Sequence, residues 1–374
     1  DINFLIYAAA QRFAQENGVP ASTTDYMKFL HGRAEEVDKV YELWKKTRQW
    51  SLDYFETIYA RVGSHYDRYY FEGECLAGVD RAKDAVSQGV LKADGGAIIF
   101  DGKPYGLDTR VFVNSLGLPT YEAKELALAQ KESTQFGKLH RIIHVVGPEQ
   151  ASFFQVTFKV EELLGMLPAR VQHHLIYGWV KLKKGKMSSR SGNVVLGEWL
   201  LDEAKKSIYT ILEKSESNLA QKEEIAEKAA VAAVKYSFLR VSTDNEIAFD
   251  LAESINFQGD SGPYLQYTYA RCKSVLRKSG SGLEKPEGQT PLNTEERAVA
   301  RLLTQFPDVV AKAATNFAPS TLCSYLNKLA QAFNLFYAKH EILGSPSRLA
   351  LTAATAQTTK NGLYLLGIET LEKM

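Results

Sequence analysis

The sequence predicts two parts with different architectures, an α/β part followed by an all-helical part. Two observations carry this prediction. Over residues 86–200 short apolar runs alternate with helical patterns, whereas strand signals fade after about residue 200 and long helical patterns take over. The length agrees, because 374 residues correspond to two or three domains at roughly 150 residues each.

Residues 1–85 are expected to be mostly helical. Apolar side chains recur at helix spacing from Val37 to Trp44 and again from Trp50 to Val62. Two short apolar runs follow, Gly95–Phe100 and Val111–Val113, and each predicts a strand. Pro119-Thr120 then opens a helix, with Thr120 as its expected cap.

The continuous apolar run Arg141–Val146 predicts a further strand, which ends at Gly147-Pro148. An amphipathic helix is predicted over residues 149–165. This alternation favours a parallel sheet. Ligands bind beyond the carboxyl ends of the strands in such sheets, so Gly147–Gln150 is a predicted ligand rim.

Composition and charge exclude several classes of protein. A formal net charge of +1 argues against a strongly basic nucleic-acid tail and against an acidic disordered chain. The three cysteines are widely spaced without a CxxC pair, so we expect neither a thiolate zinc site nor a disulfide framework, and a reducing, cytoplasmic location fits. No apolar run predicts a membrane span, and the first residues lack a signal-peptide pattern.

Residues 181–195 form a basic loop rich in Gly and Ser. Its first ten residues carry no acid and five cations: Lys181, Lys183, Lys184, Lys186 and Arg190. An ammonium group placed where charge builds up on a departing pyrophosphate lowers the barrier, so the loop suits a nucleoside triphosphate. For a generic Lys-rich loop, a solvated surface segment is the favoured alternative.

The loop and the segment before it resemble motifs of a known family. Lys186-Met187-Ser188-Ser189 resembles the signature loop of class I aminoacyl-tRNA synthetases, and the string through Val195 is similar to arginyl-tRNA synthetases in particular. Residues 174–180 resemble the strand that frames adenine in that class. The resemblance implies a Rossmann-like catalytic domain followed by an all-helical anticodon-binding domain.

This resemblance implies roles for individual residues. Lys186 would stabilise the departing pyrophosphate, with Ser188 and Ser189 as further catalytic residues. ATP binding is implied for His174, Gly178, Val180, Lys186 and Met187. Ser189 stands where many class I enzymes carry a second lysine, and Arg190 or an upstream lysine is the expected substitute.

The segment Gly117–Glu125 resembles the part of the family that binds the arginine side chain. Tyr121 and Glu125 share a helical face, where a phenol and a carboxylate can grip a guanidinium. The family has an Asp at the position of Glu125. From the residues alone, a surface pair next to Lys124 is the favoured alternative.

The strand His144–Gln150 resembles the family strand whose glutamine faces the amino acid, and Gln150 is the matching position. Gln150 also lies on the ligand rim inferred above. A metal pair formed by His140 and His144 is not expected, because strand residues at this spacing lie far apart and no third ligand is evident. Mg²⁺ is implied only as the companion of ATP.

The segment Phe249–Arg271 resembles the entry to the anticodon-binding domain. Pro263 suits a first helical turn. A buried stripe is predicted at Leu265, Tyr269, Cys272 and Leu276. Contacts with tRNA are expected from Tyr264, Gln266, Tyr267, Arg271 and Lys278, since RNA-binding proteins stack bases on aromatic rings and pair cations with phosphates. The alternative is a helix with a solvated basic face.

We expect four segments: a helical insertion over 1–85, the Rossmann-like half over 86–200, a stem-contact junction over 201–262 and the anticodon-binding domain over 263–374. The family's His-x-Gly-His signature is not found around any of the seven histidines, and the chain does not begin with Met. We therefore expect the C-terminal part of an arginyl-tRNA synthetase, which would be truncated, completed by a separate N-terminal polypeptide, or a noncatalytic derivative.

The resemblance implies arginine–tRNA ligase activity: arginyl-adenylate formation from ATP and arginine, then transfer to tRNA(Arg). We expect the isolated chain to activate little or no arginine, and apolar surface of its sheet to be exposed. A noncatalytic tRNA-binding module is the alternative function. A nucleotide-binding domain without RNA is less favoured, because it leaves the helical half unexplained.

Overall fold

The computed structural model describes residues 34–183, 196–213, 218–280 and 291–374. The chain divides into two compact units, residues 1–65 and 66–374. In the first unit the described part is dominated by the long helix α1 (Ala34–Arg61). This helix confirms the prediction made from the spacing of apolar residues.

The second unit begins with helix α2 (Gly78–Ser87) and a three-stranded antiparallel sheet in the order β1-β2-β3. Its strands are β1 (Lys92–Asp94), β2 (Ala97–Phe100) and β3 (Arg110–Val113). The two predicted runs are therefore strands, but they lie outside the parallel layer. Gly95 and Gly96, which connect β1 to β2, both have positive φ. This two-residue turn reverses the chain, so β1 and β2 can pair only in antiparallel.

Helix α3 (Tyr121–Phe136) follows, and Thr120 occupies its N-cap position. The predicted cap is wrong in its chemistry, because the Thr120 hydroxyl donates to the Val111 carbonyl at 2.6 Å and makes no cap hydrogen bond. The threonine thus ties α3 to β3 and fixes where the helix begins.

A parallel layer confirms the predicted strand–helix alternation. Strands β4 (Ile142–Val146) and β5 (Gln172–Ile176) pair in parallel, with helix α4 (Ala151–Leu163) as the crossover. One apolar cluster joins this layer to the antiparallel sheet, and its fully buried members include Phe112, Leu126 and Val156. On β4, Ile143 and Val145 are 42% and 60% exposed, in line with the expected exposed apolar surface of the sheet.

The segment expected to be one strand over residues 174–180 is two strands. Strand β6 (Val180–Leu182) leaves β5 and pairs in parallel with β7 (Ile247–Phe249). The break lies at Gly178, whose N–H donates to the Thr243 carbonyl at 2.8 Å. A Cβ at this position would lie 2.0 Å from the Asn245 carbonyl oxygen, so only glycine fits.

We expect Gly178→Ala to lower the free energy of unfolding by about 1–3 kcal/mol, because the backbone around residue 245 must move. Urea unfolding followed by circular dichroism measures this change. Gly73→Ala is the matched control, since no atom lies within 4 Å of its added Cβ. Equal midpoints for the two variants would contradict the close approach.

Apart from β7, the described residues after 196 form helices and their connections, in line with the predicted helical half. The helices are α5 (Gly197–Leu212), α6 (Leu219–Leu239), α7 (Leu251–Ser254), α8 (Gly262–Lys278), α9 (Thr294–Thr315), α10 (Pro319–Lys339) and α11 (Pro346–Leu365). Ser261 caps α8 by accepting from the Tyr264 N–H, and Pro263 lies in the first turn. None of the described helices is both long and apolar enough to span a membrane.

The helices share a second apolar core. The predicted stripe is confirmed, because Leu265, Tyr269 and Cys272 are buried in this core and Leu276 packs against it. Tyr236 on α6 is also buried there, and its hydroxyl donates to Asp260 Oδ1 at 2.5 Å. This bond holds the entry of α8 against α6.

Candidate functional site

A cavity of about 410 Å³ lies at the carboxyl end of β4. Tyr121, Glu125 and Gln150, which come from two separate sequence motifs, all line it. The 3₁₀ turn Glu72–Cys75 forms another part of the wall, and Phe153 and Phe154 of α4 add apolar surface. The three residues predicted to hold arginine therefore share one cavity.

Helix α3 gives Tyr121 and Glu125 different environments. Tyr121 is 69% exposed at the start of the helix, whereas the Glu125 side chain is only 12% exposed. Lys124, the neighbour that suggested a surface pair, forms its ion pair with Glu72. Because Glu125 is buried in the cavity wall, the surface-pair alternative does not hold.

Burial, with a smaller contribution from the nearby Glu132 carboxylate, raises the pKa of Glu125 to about 7. No Lys or Arg within the described part of the chain forms an ion pair with Glu125. A cation that enters the cavity would supply the missing charge and lower this pKa.

Gln150 ends the single 3₁₀ turn Pro148–Gln150 that follows β4. Its N–H donates to the Gly147 carbonyl at 3.2 Å, and its side chain is half-buried in the cavity wall. Gln150 therefore lies on the rim that the strand pattern predicts.

The residues expected to bind ATP are only partly described. His174 lies on β5, its ring centroid is 4.7 Å from that of Phe154, and its Nε2 donates to the Val146 carbonyl at 3.1 Å. Gly178 and Val180 flank the break between β5 and β6. The remaining predicted residues, Lys186, Met187, Ser188 and Ser189, lie outside the described residues.

Of the five cations in the basic loop, the structure describes Lys181 and Lys183, and both have carboxylate partners. Lys181 Nζ lies 2.7 Å from Glu246 Oε1, and Lys183 Nζ lies 2.5 Å from Glu253 Oε1. Both lysines therefore anchor the start of the loop to the segment around β7. Sequence reasoning did not distinguish them from the other cations, because their partners are more than 60 residues away.

A second cavity, of about 480 Å³, forms a groove on the helical half. Its lining includes Tyr264, Tyr267 and Arg271, which are three of the five predicted tRNA contacts. The Arg271 guanidinium lies between two rings, 4.7 Å from the centroid of Tyr267 and 4.8 Å from that of Tyr337. Its Nη1 also donates to Asn334 Oδ1 at 2.5 Å.

The other two predicted tRNA contacts differ from the groove residues. Gln266 is fully buried, and its Nε2 donates to the Glu369 carbonyl at 2.7 Å, so we correct the prediction and leave Gln266 out of the RNA surface. Lys278 is exposed in the last turn of α8 but does not line the groove. Helix spacing does not reveal that Gln266 lies on the packed side.

Sequence reasoning missed two residues that hold Arg271: Asn334, which lines the groove, and Tyr337, which does not. They lie three residues apart on α10, and both contact the Arg271 guanidinium. The segment Phe333–Tyr337, which is rich in aromatic residues, is the only signal in the sequence, because its contact with α8 depends on the packing of helices that are distant in the chain.

Within the described residues, no group of three or more His, Cys, Asp or Glu side chains could hold a metal ion.

Comparison with known proteins adds an independent line of evidence. The family profile described as "tRNA synthetases class I (R), catalytic domain" matches residues 1–251, and the profile described as "DALR anticodon binding domain" matches residues 265–374. An arginine–tRNA ligase of Bdellovibrio bacteriovorus is 35% identical over 373 residues, covering 96% of this chain and 64% of the relative. One of Clostridium perfringens is 33% identical, covering 89% of this chain and 60% of the relative.

Solved structures give the same result. The arginyl-tRNA synthetase of Thermus thermophilus is 27% identical with a TM-score of 0.79, and the match covers 93% of this chain and 67% of that chain. The enzyme of Plasmodium falciparum is 20% identical with a TM-score of 0.77, covering 93% and 62%, and supports the fold alone. The chain spans about three fifths of the length of the curated relatives named above. The chain belongs to the class I arginyl-tRNA synthetase family.

Proposed function

We propose that the chain is part of an arginine–tRNA ligase, which forms arginyl-adenylate from ATP and arginine and transfers the arginyl group to tRNA(Arg). The observation that carries this proposal is Glu125, a buried carboxylate without a described cationic partner, in the cavity that it shares with Tyr121 and Gln150. Such a carboxylate suits a ligand that brings its own cation.

The guanidinium of arginine fits this cavity in charge and in shape. Its fork of N–H donors can pair with both oxygens of Glu125. Tyr121 and Gln150 line the same cavity; Tyr121, at the exposed start of α3, would cover the ligand's side chain, and Gln150 would face its amino-acid end. A neutral analogue would leave the buried carboxylate unpaired, so the cavity selects for positive charge.

The adenylation chemistry is assigned to the basic loop. Lys186 would stabilise the charge that develops on pyrophosphate, with Ser188 and Ser189 as further hydrogen-bond donors. His174, Gly178 and Val180 would frame adenine beside the cavity, with Met187 in the loop. Mg²⁺ would arrive with ATP and neutralise phosphate charge.

The groove on the helical half is proposed to bind tRNA through Tyr264, Tyr267 and Arg271. Arg271 is held by Asn334 and two rings, so its position is fixed before RNA arrives. This groove favours a second candidate function, a noncatalytic tRNA-binding module, because none of its lining residues comes from the arginine cavity. We place either activity in the cytoplasm, in keeping with three free cysteines.

The proposed function is tested by the binding of arginine and of its neutral analogue citrulline to the purified chain, measured by isothermal titration calorimetry. We expect arginine to bind at least about 100-fold more tightly at pH 8, since the analogue leaves Glu125 unpaired. Equal affinities would contradict an arginine site.

The second candidate function, tRNA binding, is tested by incubating the chain with total cellular tRNA and sequencing the RNA that it retains. We expect the retained RNA to be enriched in arginine isoacceptors.

For the groove, we expect Tyr267→Leu to weaken tRNA binding about 5- to 100-fold, because stacking of one base on an aromatic ring contributes about 1–3 kcal/mol. Filter binding at fixed ionic strength measures the change. Tyr364→Leu is the matched control, because Tyr364 is 80% exposed and does not line the groove. The same loss in both variants would argue against a specific role for Tyr267.

A further inference from the structure

A buried polar network continues from the arginine cavity into the core. Glu161 on α4 is fully buried, and its Oε2 accepts a hydrogen bond from Gln172 Nε2 at 2.5 Å. Gln172 Oε1 lies 3.3 Å from His144 Nε2. His144 Nδ1 in turn lies 4.0 Å from Glu125 Oε1. Three elements, α4, β5 and β4, therefore bring a chain of polar side chains to within 4.0 Å of the Glu125 carboxylate in the cavity wall.

This arrangement fixes the tautomer of His144. Gln172 directs its only donor group to Glu161, so the atom that faces the imidazole is an oxygen that can only accept. His144 Nε2 must then carry the hydrogen. Burial lowers the pKa of His144, so the ring is neutral at pH 7 and its Nδ1 is an acceptor on the side of Glu125.

Two acceptors that face each other favour a proton on one of them. Burial already raises the pKa of Glu125 to about 7, so Glu125 takes this proton. Glu161 adds no negative charge beside Glu125, because burial raises its pKa well above the usual value and keeps it protonated, and its Oε1 has no hydrogen-bond partner. The titratable groups around Glu125 are Tyr70, Glu72 and Cys75 before α2, Tyr121, Lys124 and Glu132 on α3, His144 on β4 and Glu161 on α4.

We propose that His144 is a positioning residue that keeps Glu125 protonated while the cavity is empty, and that a guanidinium ligand displaces this proton. The proton leaves Glu125 for solvent as the ligand forms two N–H···O bonds with the carboxylate, and His144 stays neutral. The identity of the ligand rests on the proposed function. The preference for arginine over citrulline then rises with pH, because only arginine must displace the proton.

The proposal is tested by nuclear magnetic resonance on the full chain without ligand. Ring ¹⁵N shifts of His144 report its tautomer, and the ¹³C carboxyl shift of Glu125 reports its titration. We expect a neutral ring with hydrogen on Nε2 and a Glu125 midpoint near the value of about 7 given above. A ring with hydrogen on Nδ1 at pH 8 would overturn the proposal.

The variant Gln172→Met tests the cause. It frees His144 to move its hydrogen to Nδ1 and to donate to ionised Glu125, so we expect the Glu125 midpoint to fall by about one pH unit. Gln155→Met on α4 is the matched control, because Gln155 is exposed and should leave the midpoint unchanged. An unchanged midpoint in Gln172→Met would overturn the proposal. If this variant does not fold, the tautomer of the unaltered chain still decides.

These measurements need no ligand, so they succeed or fail independently of the proposed function. Arginine titrations by calorimetry in two buffers of different ionisation enthalpy then count the protons released. We expect about one proton per arginine at pH 6 and almost none at pH 8.5, from the Glu125 pKa of about 7. Failure of arginine to bind overturns the proposed function, whereas binding without proton release at pH 6 overturns this further inference.

Discussion

Replacing Glu125 with glutamine should lower kcat/KM for arginine by about 10²–10⁴-fold in the complete enzyme. The substitution removes the charge while keeping the size of the side chain, so the guanidinium would be buried without its counter-ion. Breaking a buried ion pair costs about 3–5 kcal/mol, which corresponds to this loss. Pyrophosphate exchange at varied arginine concentration measures it.

Glu132→Gln is the matched control for this prediction, because Glu132 is a partly buried carboxylate on the same helix that does not line the cavity. We expect Glu132→Gln to change kcat/KM for arginine only a few fold.

Loss of folded protein should not explain the lower kcat/KM of Glu125→Gln. The pKa of Glu125 is raised from 4.5 to about 7 in the folded chain. Its contribution to the free energy of unfolding is therefore most favourable below pH 4.5 and is lost as pH rises through 7, where the buried side chain must ionise. Glutamine does not ionise, so the variant should be at least as stable as the unaltered chain at pH 8.

Replacing Lys186 with alanine should lower the rate of arginine-dependent pyrophosphate exchange in the complete enzyme by about 10²–10³-fold, the scale of one lost donor to a transition state. This prediction rests on the motif Lys186-Met187-Ser188-Ser189, because Lys186 lies outside the described residues. We expect the loss in kcat rather than in KM for arginine, because the charge that Lys186 meets develops only as pyrophosphate leaves.

Lys206→Ala is a suitable control variant, because Lys206 is exposed on α5 and its replacement removes one positive charge away from the loop. An exchange rate in Lys186→Ala within a few fold of this control would show that Arg190 or another lysine carries the role. The double variant of Lys186 and Arg190 would then be the next measurement.

The sequence alone predicts much of the secondary structure. Apolar spacing predicts the long helices, and the run Arg141–Val146 predicts β4 with its ligand rim. These features depend on local period, which a single stretch of chain contains. Strand pairing is not contained in that period: β1 and β2 are antiparallel because Gly95 and Gly96 turn the chain between them, and the segment 174–180 splits because Gly178 meets the backbone at Asn245.

The site shows the same division. Residue types, spacing and the family resemblance identify Tyr121, Glu125 and Gln150, and the fold brings all three to one cavity. The spacing of residues along the chain does not predict burial. Burial shows that Glu125 is not part of a surface ion pair and that Gln266 is not available to contact RNA. The partners of Glu125 are also a tertiary matter, because His144, Gln172 and Glu161 come from three elements and only their packing sets which atom carries a proton.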